Sequence, residues 1–406
     1  MRGSLRVLAH GELRTLLAAA LVSNLGTFVQ DVGEAWLMVK LGGSPLQIAL
    51  VSATTWFPAI VLTLPAGVLA DQGDRRRVLL LAQGWLAITA LALALATALG
   101  RVTPFWLLAA TTSLGVGQAL HGPSWSTYLP DRAPRHELAD AVAVQSLTWN
   151  LARAVGPALG GLLVSRVGPA VAFLVNGLSF GGVLGVLAAA PPAPAGAPRA
   201  PFWPSLRKGL RHTFGTRSLR VVCSTTAAYG FFASPVLALL PAYVDRELGR
   251  DGACFGALLG AFGAGALVGA LALAKARARL GTARLVPGAI FVSALSTAAL
   301  GLAPTPAWAA AALAAGGAAW LSALSTQNAL LQTHADAALR GRVKSVDNLL
   351  FLGLYAAGST LAGAAANVAG VRAVVLCAAP PLALVAAAAA LAGLPSLPPA
   401  GARPGA

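Results

Sequence analysis

The chain has 406 residues, of which 57% are hydrophobic and only 10% are charged, against about 25% charged residues in an ordinary soluble domain. No soluble core could bury so much apolar surface, so the composition excludes a soluble globular protein and predicts an all-α integral membrane protein. The net charge of +16 does not indicate nucleic-acid binding, because the basic residues follow the loops on one side of the predicted membrane spans.

Twelve apolar runs are each long enough to cross about 30 Å of hydrocarbon as a helix. We predict two six-helix halves at residues 1–190 and 219–394, a cytoplasmic linker rich in Pro and basic residues at 191–218, and a disordered tail at 395–406. The predicted spans are residues 15–38, 45–69, 78–99, 104–128, 141–164, 168–190, 219–244, 252–274, 285–303, 307–331, 346–368 and 373–394. The linker has six prolines between residues 191 and 204, followed by a basic amphipathic pattern that is typical of a helix on the inner leaflet.

Basic residues are distributed unequally between the two sides of these spans. Of the 29 Lys and Arg residues, 22 fall in the terminal segments and alternate loops of one side, and six fall on the other. The positive-inside rule therefore predicts a multi-pass protein of the inner (plasma) membrane with both termini in the cytoplasm. Cys223, Cys254 and Cys377 are isolated from one another. We therefore expect neither a disulfide framework nor a metal site, and no cofactor.

Charged residues inside the spans are the first candidates for function. Asp31 and Glu34 are three residues apart in the first span, hence on one helical face, and Arg153 is the only basic residue deep in a span. Each acid costs about 3 kcal/mol at the bilayer centre, so both should face protein or water. Two interpretations are open. Asp31 and Arg153 form a structural ion pair, or Asp31, Glu34 and Arg153 form a site that couples transport to protons.

The turn after the second span reads G-V-L-A-D-Q-G-D-R-R-R at residues 67–77. It resembles the G-x-x-x-D-R-x-G-R-R/K signature between the second and third helices of the major facilitator superfamily. The matching residues are Gly67, Asp71, Arg75 and Arg76. Gln72 and Asp74 depart from the pattern. Asp74 followed by three arginines is similar to the exporter branch of enterobactin-type siderophore and macrolide efflux proteins, the transmembrane secretion effector family.

The fifth span carries a second match to the superfamily. Gly156, Pro157, Gly160 and Gly161 resemble the G-P-x-x-G-G core of its antiporter motif, although Ala152 stands where a glycine normally precedes it. Small residues allow two helices to approach closely, so we expect this face of the fifth helix to contact the glycines of the eighth helix. The resemblance implies that both motifs act in gating, with Asp71 as a latch at the cytoplasmic start of the eleventh helix.

An internal repeat supports two related halves. A constant shift of 202 residues superposes Arg75 on Arg277, and it superposes glycines of the same loops and helices in both halves. The superposed glycine pairs are Gly67 with Gly269, Gly115 with Gly317, Gly156 with Gly358, Gly161 with Gly363 and Gly168 with Gly370. Two six-helix bundles related in this way constitute the fold that the resemblance implies.

In that fold helices 1, 4, 7 and 10 line a central cavity, which implies a set of cavity residues besides Asp31 and Glu34. They are Gln118, His121, Trp125, Tyr229, Phe232, Trp320, Gln327 and Asn328. Aromatic and amide side chains with few charges suit an amphipathic ligand held mainly by apolar contact. His121 departs from the exporter branch, which commonly has asparagine there.

We therefore expect a monomeric, proton-coupled exporter of a small amphipathic molecule, drug-like or siderophore-like, working by alternating access. A nutrient uptake transporter of the same fold and a non-transporting membrane sensor or scaffold are the alternatives. The chain shows no nucleophile, acid–base or metal constellation on one surface, so an enzyme is not expected. The expected partners are the small-molecule substrate, protons and the lipid bilayer, with no nucleic acid.

Overall fold

The computed structural model describes residues 9–72, 74–190, 202–336 and 339–397, without the side chains of residues 63–72, 127, 129–131, 135, 139 and 202–206. Within those residues the chain is helical, with no strand. The helices are α1 (Gly11–Lys40), α2 (Pro45–Gln72), α3 (Arg75–Ala98), α4 (Pro104–Arg132), α5 (Leu138–Val167), α6 (Pro169–Ala189), α7 (Phe202–Gly215), α8 (Arg217–Ala238), α9 (Leu240–Arg246), α10 (Gly252–Leu280), α11 (Thr282–Gly301), α12 (Pro306–His334), α13 (Arg340–Ala369) and α14 (Val371–Ala392).

Ten of the described helical segments are long and apolar enough to cross a membrane. The helices α4 and α5 are long enough but lie outside this set, because they carry polar residues such as Gln118, His121 and Asn150 along their length. With these two added, and with α8 and α9 taken as one crossing, the chain has the predicted twelve crossings. The all-helical, two-bundle fold class is therefore confirmed.

The seventh predicted span is a single crossing, as predicted, but it is built from two consecutive helices. It divides at Leu239 into α8 and the seven-residue α9. Pro241 occupies the first turn of α9, where its missing N–H needs no helical partner. A proline at that position starts a new helix more readily than it continues the old one.

Helix packing reproduces the 202-residue repeat. Gly156 of α5 packs against Phe28 of α1, and Gly358 of α13 packs against Phe231 of α8. Gly168 and Gly370, at the corresponding helix boundaries, have φ values of +89° and +86°. L side chains rarely adopt such angles, so glycine is favoured at both corners. The two halves are thus built on equivalent helix pairs.

Among the described residues, the side-chain hydrogen bonds that join the two halves lie at one end of the bundle, which we name the closed end. There the Asn367 side chain accepts a hydrogen bond from the Leu46 backbone N–H at 3.1 Å, and Arg246 donates to the Gly43 carbonyl at 3.1 Å. Trp36 stacks on Phe255 with ring centroids 6.2 Å apart. At the opposite end, the open end, the polar residues of α5 are exposed to a cavity.

The linker helix α7 packs on the second half rather than standing free. Gly209 is buried against Arg342 and Val346 of α13, and Thr213 is also buried. The basic residues Arg207 and Lys208 remain exposed. The predicted amphipathic pattern therefore corresponds to a helix whose small-residue side contacts protein. The proline-rich residues 191–201 and most of the predicted tail, residues 398–406, lie outside the described chain.

Candidate substrate-binding site

A cavity of about 380 Å³ lies inside the first half, between α1, α3, α4, α5 and α6. Its volume is in the range of small-molecule sites. Uncharged polar side chains make up most of its wall, with Trp125, Trp149 and Phe180 as aromatic members. The polar residues are Ser23, Asn24, Thr27, Gln83, Gln118, His121, Gln145, Ser146 and Asn150. We name this cavity the polar pocket.

Two buried polar atoms at the pocket have no hydrogen-bond partner among the described residues. They are the His121 Nε2 and the Gln83 Oε1, and both atoms are buried. The His121 ring stacks on Trp125 with centroids 5.3 Å apart, which holds the imidazole in place. Buried polar atoms are normally hydrogen-bonded, so these two are available to a ligand or to water.

Asp31 lies on the face of α1 that lines the polar pocket. It follows Asn24 by seven residues and Thr27 by four, and both of these line the pocket. Residues at those spacings share one side of a helix. The Asp31 side chain is exposed, so it extends the pocket wall toward the closed end. This places one acid beside the cavity, within the electrostatic reach of Glu34.

Glu34 occupies a different environment, because it belongs to a buried hydrogen-bond chain between α1 and α6. The Gln30 amide donates to Glu34 at 2.6 Å, and the Asn176 amide donates to the Gln30 oxygen at 2.7 Å. Ser179 donates to the Asn176 side-chain oxygen at 3.1 Å and to the Asn176 backbone carbonyl at 2.7 Å. Glu34, Gln30 and Asn176 are each at most 3% exposed. Glu34 therefore ties two helices together inside the first half.

The structural ion pair between Asp31 and Arg153 is not formed, which corrects one of the two interpretations of the sequence. In the described chain no acidic side chain lies within 4 Å of the Arg153 guanidinium. Gly156 packs against Phe28, so Arg153, three residues earlier, lies about 9 Å from the level of Asp31 along the parallel helices. The electrostatic neighbour of Arg153 is Tyr355 of α13, across the interface between the halves.

The second half presents aromatic rings where the first half presents amides. Trp320 of α12 is the centre of this aromatic cluster, with Tyr229 at 5.2 Å, Phe351 at 5.9 Å and Tyr355 at 6.3 Å between ring centroids. The Tyr229 hydroxyl is hydrogen-bonded to Ser293 at 2.7 Å. The space beside Tyr229 and Trp320 is only about 20 Å³, so this wall is closely packed.

Three of the predicted cavity residues lie elsewhere in the second half. Phe232 is partly buried and packs edge-on against Phe231. Gln327 is 1% exposed, and within the described part of the chain neither of its amide atoms is hydrogen-bonded; the Asn328 amide oxygen is also buried there without a partner. By contrast Gln118, His121 and Trp125 lie together in the polar pocket, and Tyr229 and Trp320 lie together in the aromatic cluster. The functional roles of all these residues stay predictions.

The last residues of the first predicted gating motif begin α3 and support a neighbouring helix. Asp74, which replaces the superfamily glycine, accepts a hydrogen bond from the Arg76 backbone N–H at 3.0 Å and caps α3. Arg76 donates to the Leu187 and Ala188 carbonyls at the end of α6. Cations stabilise a helix C-terminus. The surroundings of Gly67 and the side chain of Asp71 are not among the described parts of the chain, and Arg75 is the first residue of α3.

The glycines of the fifth span divide between two neighbours. Gly161 meets Gly256 of α10 so closely that a Cβ at Gly161 would lie 2.6 Å from the Gly256 Cα, and the Pro157 carbonyl faces Gly256 as well. Gly156 and Gly160, however, pack on α1 within the same half. The predicted contact between the halves is therefore made at one edge of the motif only. We name the Gly161–Gly256 contact and its equivalent, Gly363 against Leu46, the two seams.

Sequence reasoning missed several residues that the fold brings into the site. Asn24, Gln83, Gln145 and Asn150 line the polar pocket, although their spans were recognised. Polar residues within apolar runs were the available signal. Asp347 of α13 was also missed. It is a 3%-exposed acid bonded to Lys344 at 3.0 Å, and the three-residue spacing of these opposite charges could have indicated the pair.

Two six-helix halves built on equivalent helix pairs, with a polar pocket inside the first half, define a membrane transporter of the major facilitator type. Solved transporters of that class share the fold. A bacterial homologue of the human lysosomal transporter Spinster, inward-facing and unoccupied, aligns with a TM-score of 0.76 at 15% identity, over 94% of this chain and 96% of its own. The nucleoside transporter NupG aligns with a TM-score of 0.76 at 13% identity, over 94% and 98%.

The chain belongs to the transmembrane secretion effector family, whose model matches residues 2–403. It is similar to the multidrug efflux pump Tap of Mycobacterium tuberculosis, with 28% identity over 92% of this chain and 91% of that protein. It is also similar to the enterobactin exporter EntS of Shigella boydii, with 29% identity over 79% of each chain. The predicted family is therefore confirmed.

Proposed function

We propose that this transporter is a proton-coupled exporter that moves a small amphipathic molecule outward by alternating access. The polar pocket carries the proposal, because it is large enough for a small molecule and combines aromatic faces with uncharged polar groups. The similarity to an efflux pump and to a siderophore exporter supports export over the alternative of nutrient uptake. A non-transporting sensor would not need a cavity that opens alternately to the two sides of the membrane.

The two seams support alternating access. They hold the halves together at the closed end by backbone approach without bulky side chains, so they can separate without breaking many polar contacts. The excess of basic residues in the loops of the open end supports placing that end in the cytoplasm. The proposed state is therefore inward-facing, with both termini cytoplasmic.

Cysteine labelling of intact cells tests this orientation. Cys223, Cys254 and Cys377 are first replaced, and single cysteines are then introduced at the exposed positions Lys208 and Arg250. We expect an impermeant maleimide to label residue 250 and not residue 208. Labelling of residue 208 from outside would contradict the proposed orientation.

Asp31 is the proposed proton-coupling residue, because it is the acid on the pocket face of α1, whereas Glu34 is enclosed in the chain to Asn176. A proton on Asp31 removes a charge beside the substrate and so can be exchanged for substrate binding. We expect Asp31→Asn to abolish uptake of a fluorescent drug into inverted proteoliposomes driven by an imposed pH gradient, while the protein still folds.

The matched control is Asp245→Asn, which neutralises an exposed acid in α9. It should transport with the wild-type dependence on the gradient. Normal gradient-driven transport in Asp31→Asn would exclude the coupling role and leave Glu34 as the next candidate. No movement of any substrate by the wild type in either direction, with or without the gradient, would favour the sensor or scaffold alternative.

A further inference from the structure

Arg153 is a half-buried cation at the interface between the halves, and in the described chain it has no acidic partner. Its electrostatic neighbour, Tyr355, is a neutral phenol. Removing a guanidinium from water without supplying an anion costs free energy, so an unpaired arginine inside a membrane protein destabilises the empty protein. Such a cost is typical of groups that complete their interactions when a ligand binds.

Arg153 lies between the pocket residues of α5 and the aromatic cluster of the second half. On α5 it follows Asn150 by three residues and Trp149 by four, so it shares the face of these pocket residues and lies about one turn beyond them along the helix. On the opposite side, Tyr355 belongs to the aromatic cluster, with its ring centroid 6.0 Å from that of Phe351. A molecule that extends from the pocket along this face therefore meets uncharged polar groups, the Asp31 carboxylate, aromatic faces and one cation.

We propose that the transported substrates are small aromatic molecules carrying an acidic group, such as a carboxylate, which pairs with Arg153 while their rings lie against Phe351 and Tyr355. This inference rests on the proposed function only in treating the bound molecules as transported substrates. Their binding can be measured without transport. An arginine binds a carboxylate through two parallel, charge-assisted hydrogen bonds. A neutral analogue of the same shape leaves the guanidinium unpaired and is therefore bound more weakly.

A pair of probes that differ in one charge tests the inference. They are 7-diethylaminocoumarin-3-carboxylic acid and its ethyl ester, and their binding to the full chain in nanodiscs of zwitterionic lipid is followed by fluorescence anisotropy. We expect the acid to bind the wild type at least about tenfold more tightly than the ester, which corresponds to about 1.4 kcal/mol. In Arg153→Gln the acid should bind no better than the ester, whose own affinity stays unchanged.

Two further variants separate binding from folding. Arg153→Lys keeps the charge but loses the bidentate geometry, so it should bind the acid with intermediate affinity. Arg166→Gln removes an exposed arginine at the far end of the same helix and should bind both probes as the wild type does. The melting temperature of empty Arg153→Gln should equal or exceed that of the wild type, because no acidic partner is lost.

Equal affinity of the wild type for acid and ester overturns the inference, as does unchanged acid binding in Arg153→Gln. A lower melting temperature in Arg153→Gln together with weaker binding of both probes also overturns it, since the arginine would then serve the fold. Transport distinguishes the two proposals. Selective acid binding without any transport in proteoliposomes refutes the proposed function alone, and transport of neutral and acidic probes at equal rates refutes the substrate class alone.

Discussion

The two halves of this transporter share their helix packing but differ in their interiors. Gly156 on Phe28 and Gly358 on Phe231 are equivalent contacts. The first half nevertheless encloses a polar pocket of about 380 Å³, whereas the space within the aromatic cluster of the second half is about 20 Å³. Helix approach depends on a few small residues, so the side chains between those contacts are free to differ. The repeat therefore preserves the scaffold, while the interiors of the two halves carry different kinds of side chain.

The halves also differ in how their buried polar groups are satisfied. The first half uses a chain of four side chains that links Ser179 through Asn176 and Gln30 to Glu34. The second half pairs the Tyr229 hydroxyl with Ser293, which also donates to the Ala289 carbonyl at 3.2 Å. Loss of one member should therefore be more costly in the first half, where each group depends on the next.

The largest effect is expected at the seams, where both halves contribute equivalent contacts. A Cβ on Gly161 would meet the α10 backbone at 2.6 Å, and a Cβ on Gly363 would meet the Leu46 Cα at 2.9 Å. Backbone atoms cannot move aside as side chains do, so Gly161→Leu and Gly363→Leu should each separate the closed end. We expect at least a tenfold loss of transport and a longer distance between spin labels at residues 166 and 250.

Gly181→Leu is the control for both seam variants, because Gly181 is an exposed position of α6 with no atom within 4 Å of an added Cβ. It should leave the label distance unchanged. An unchanged distance in Gly161→Leu together with a changed one in Gly363→Leu would show that the seams are not equivalent. No change in either variant would exclude the seams as the contacts that hold this end closed.

The next effect concerns the buried chain of the first half. Gln30→Leu removes both the donor to Glu34 and the acceptor for Asn176 and leaves two buried polar groups unsatisfied. The expected loss is about 3 kcal/mol of unfolding free energy. Thermal unfolding in detergent measures it against Thr15→Val, which removes a hydroxyl bond to Gly11 at the exposed start of α1. Equal melting temperatures for the two variants would mean that the chain does not stabilise the α1–α6 contact.

The smallest effect is expected in the second half. Tyr229→Phe removes the hydroxyl bond to Ser293, but Ser293 keeps its bond to the Ala289 carbonyl, so the loss should be about 1 kcal/mol. The double variant Tyr229→Phe/Ser293→Ala should lose less than the sum of the two single variants, because they remove one shared interaction. If Tyr229→Phe loses as much unfolding free energy as Gln30→Leu, the two halves do not differ in how strongly they depend on their buried hydrogen bonds.

The crossings and the polar residues inside them could be predicted from the sequence. Backbone N–H and C=O groups in hydrocarbon must be hydrogen-bonded within their own segment, so a long apolar run has to be a helix. A polar residue within such a run, such as Asp31 or His121, stands out because its transfer into lipid costs free energy. The break of the seventh span at Leu239 was missed. Proline in a membrane helix is often tolerated, so Pro241 did not distinguish a kink from a new helix.

Which residues meet was decided only by the tertiary structure. Asp31 and Arg153 lie on helices in contact with each other, but the register of α1 against α5 separates them by about two turns. Gly160 and Gly161 are neighbours in sequence, yet they point about 100° apart on α5, so one contacts α1 and the other contacts α10 across the seam. Local pattern determines which face of a helix is small or polar. The identity of the helix opposite that face depends on crossing angles and register set by the whole bundle.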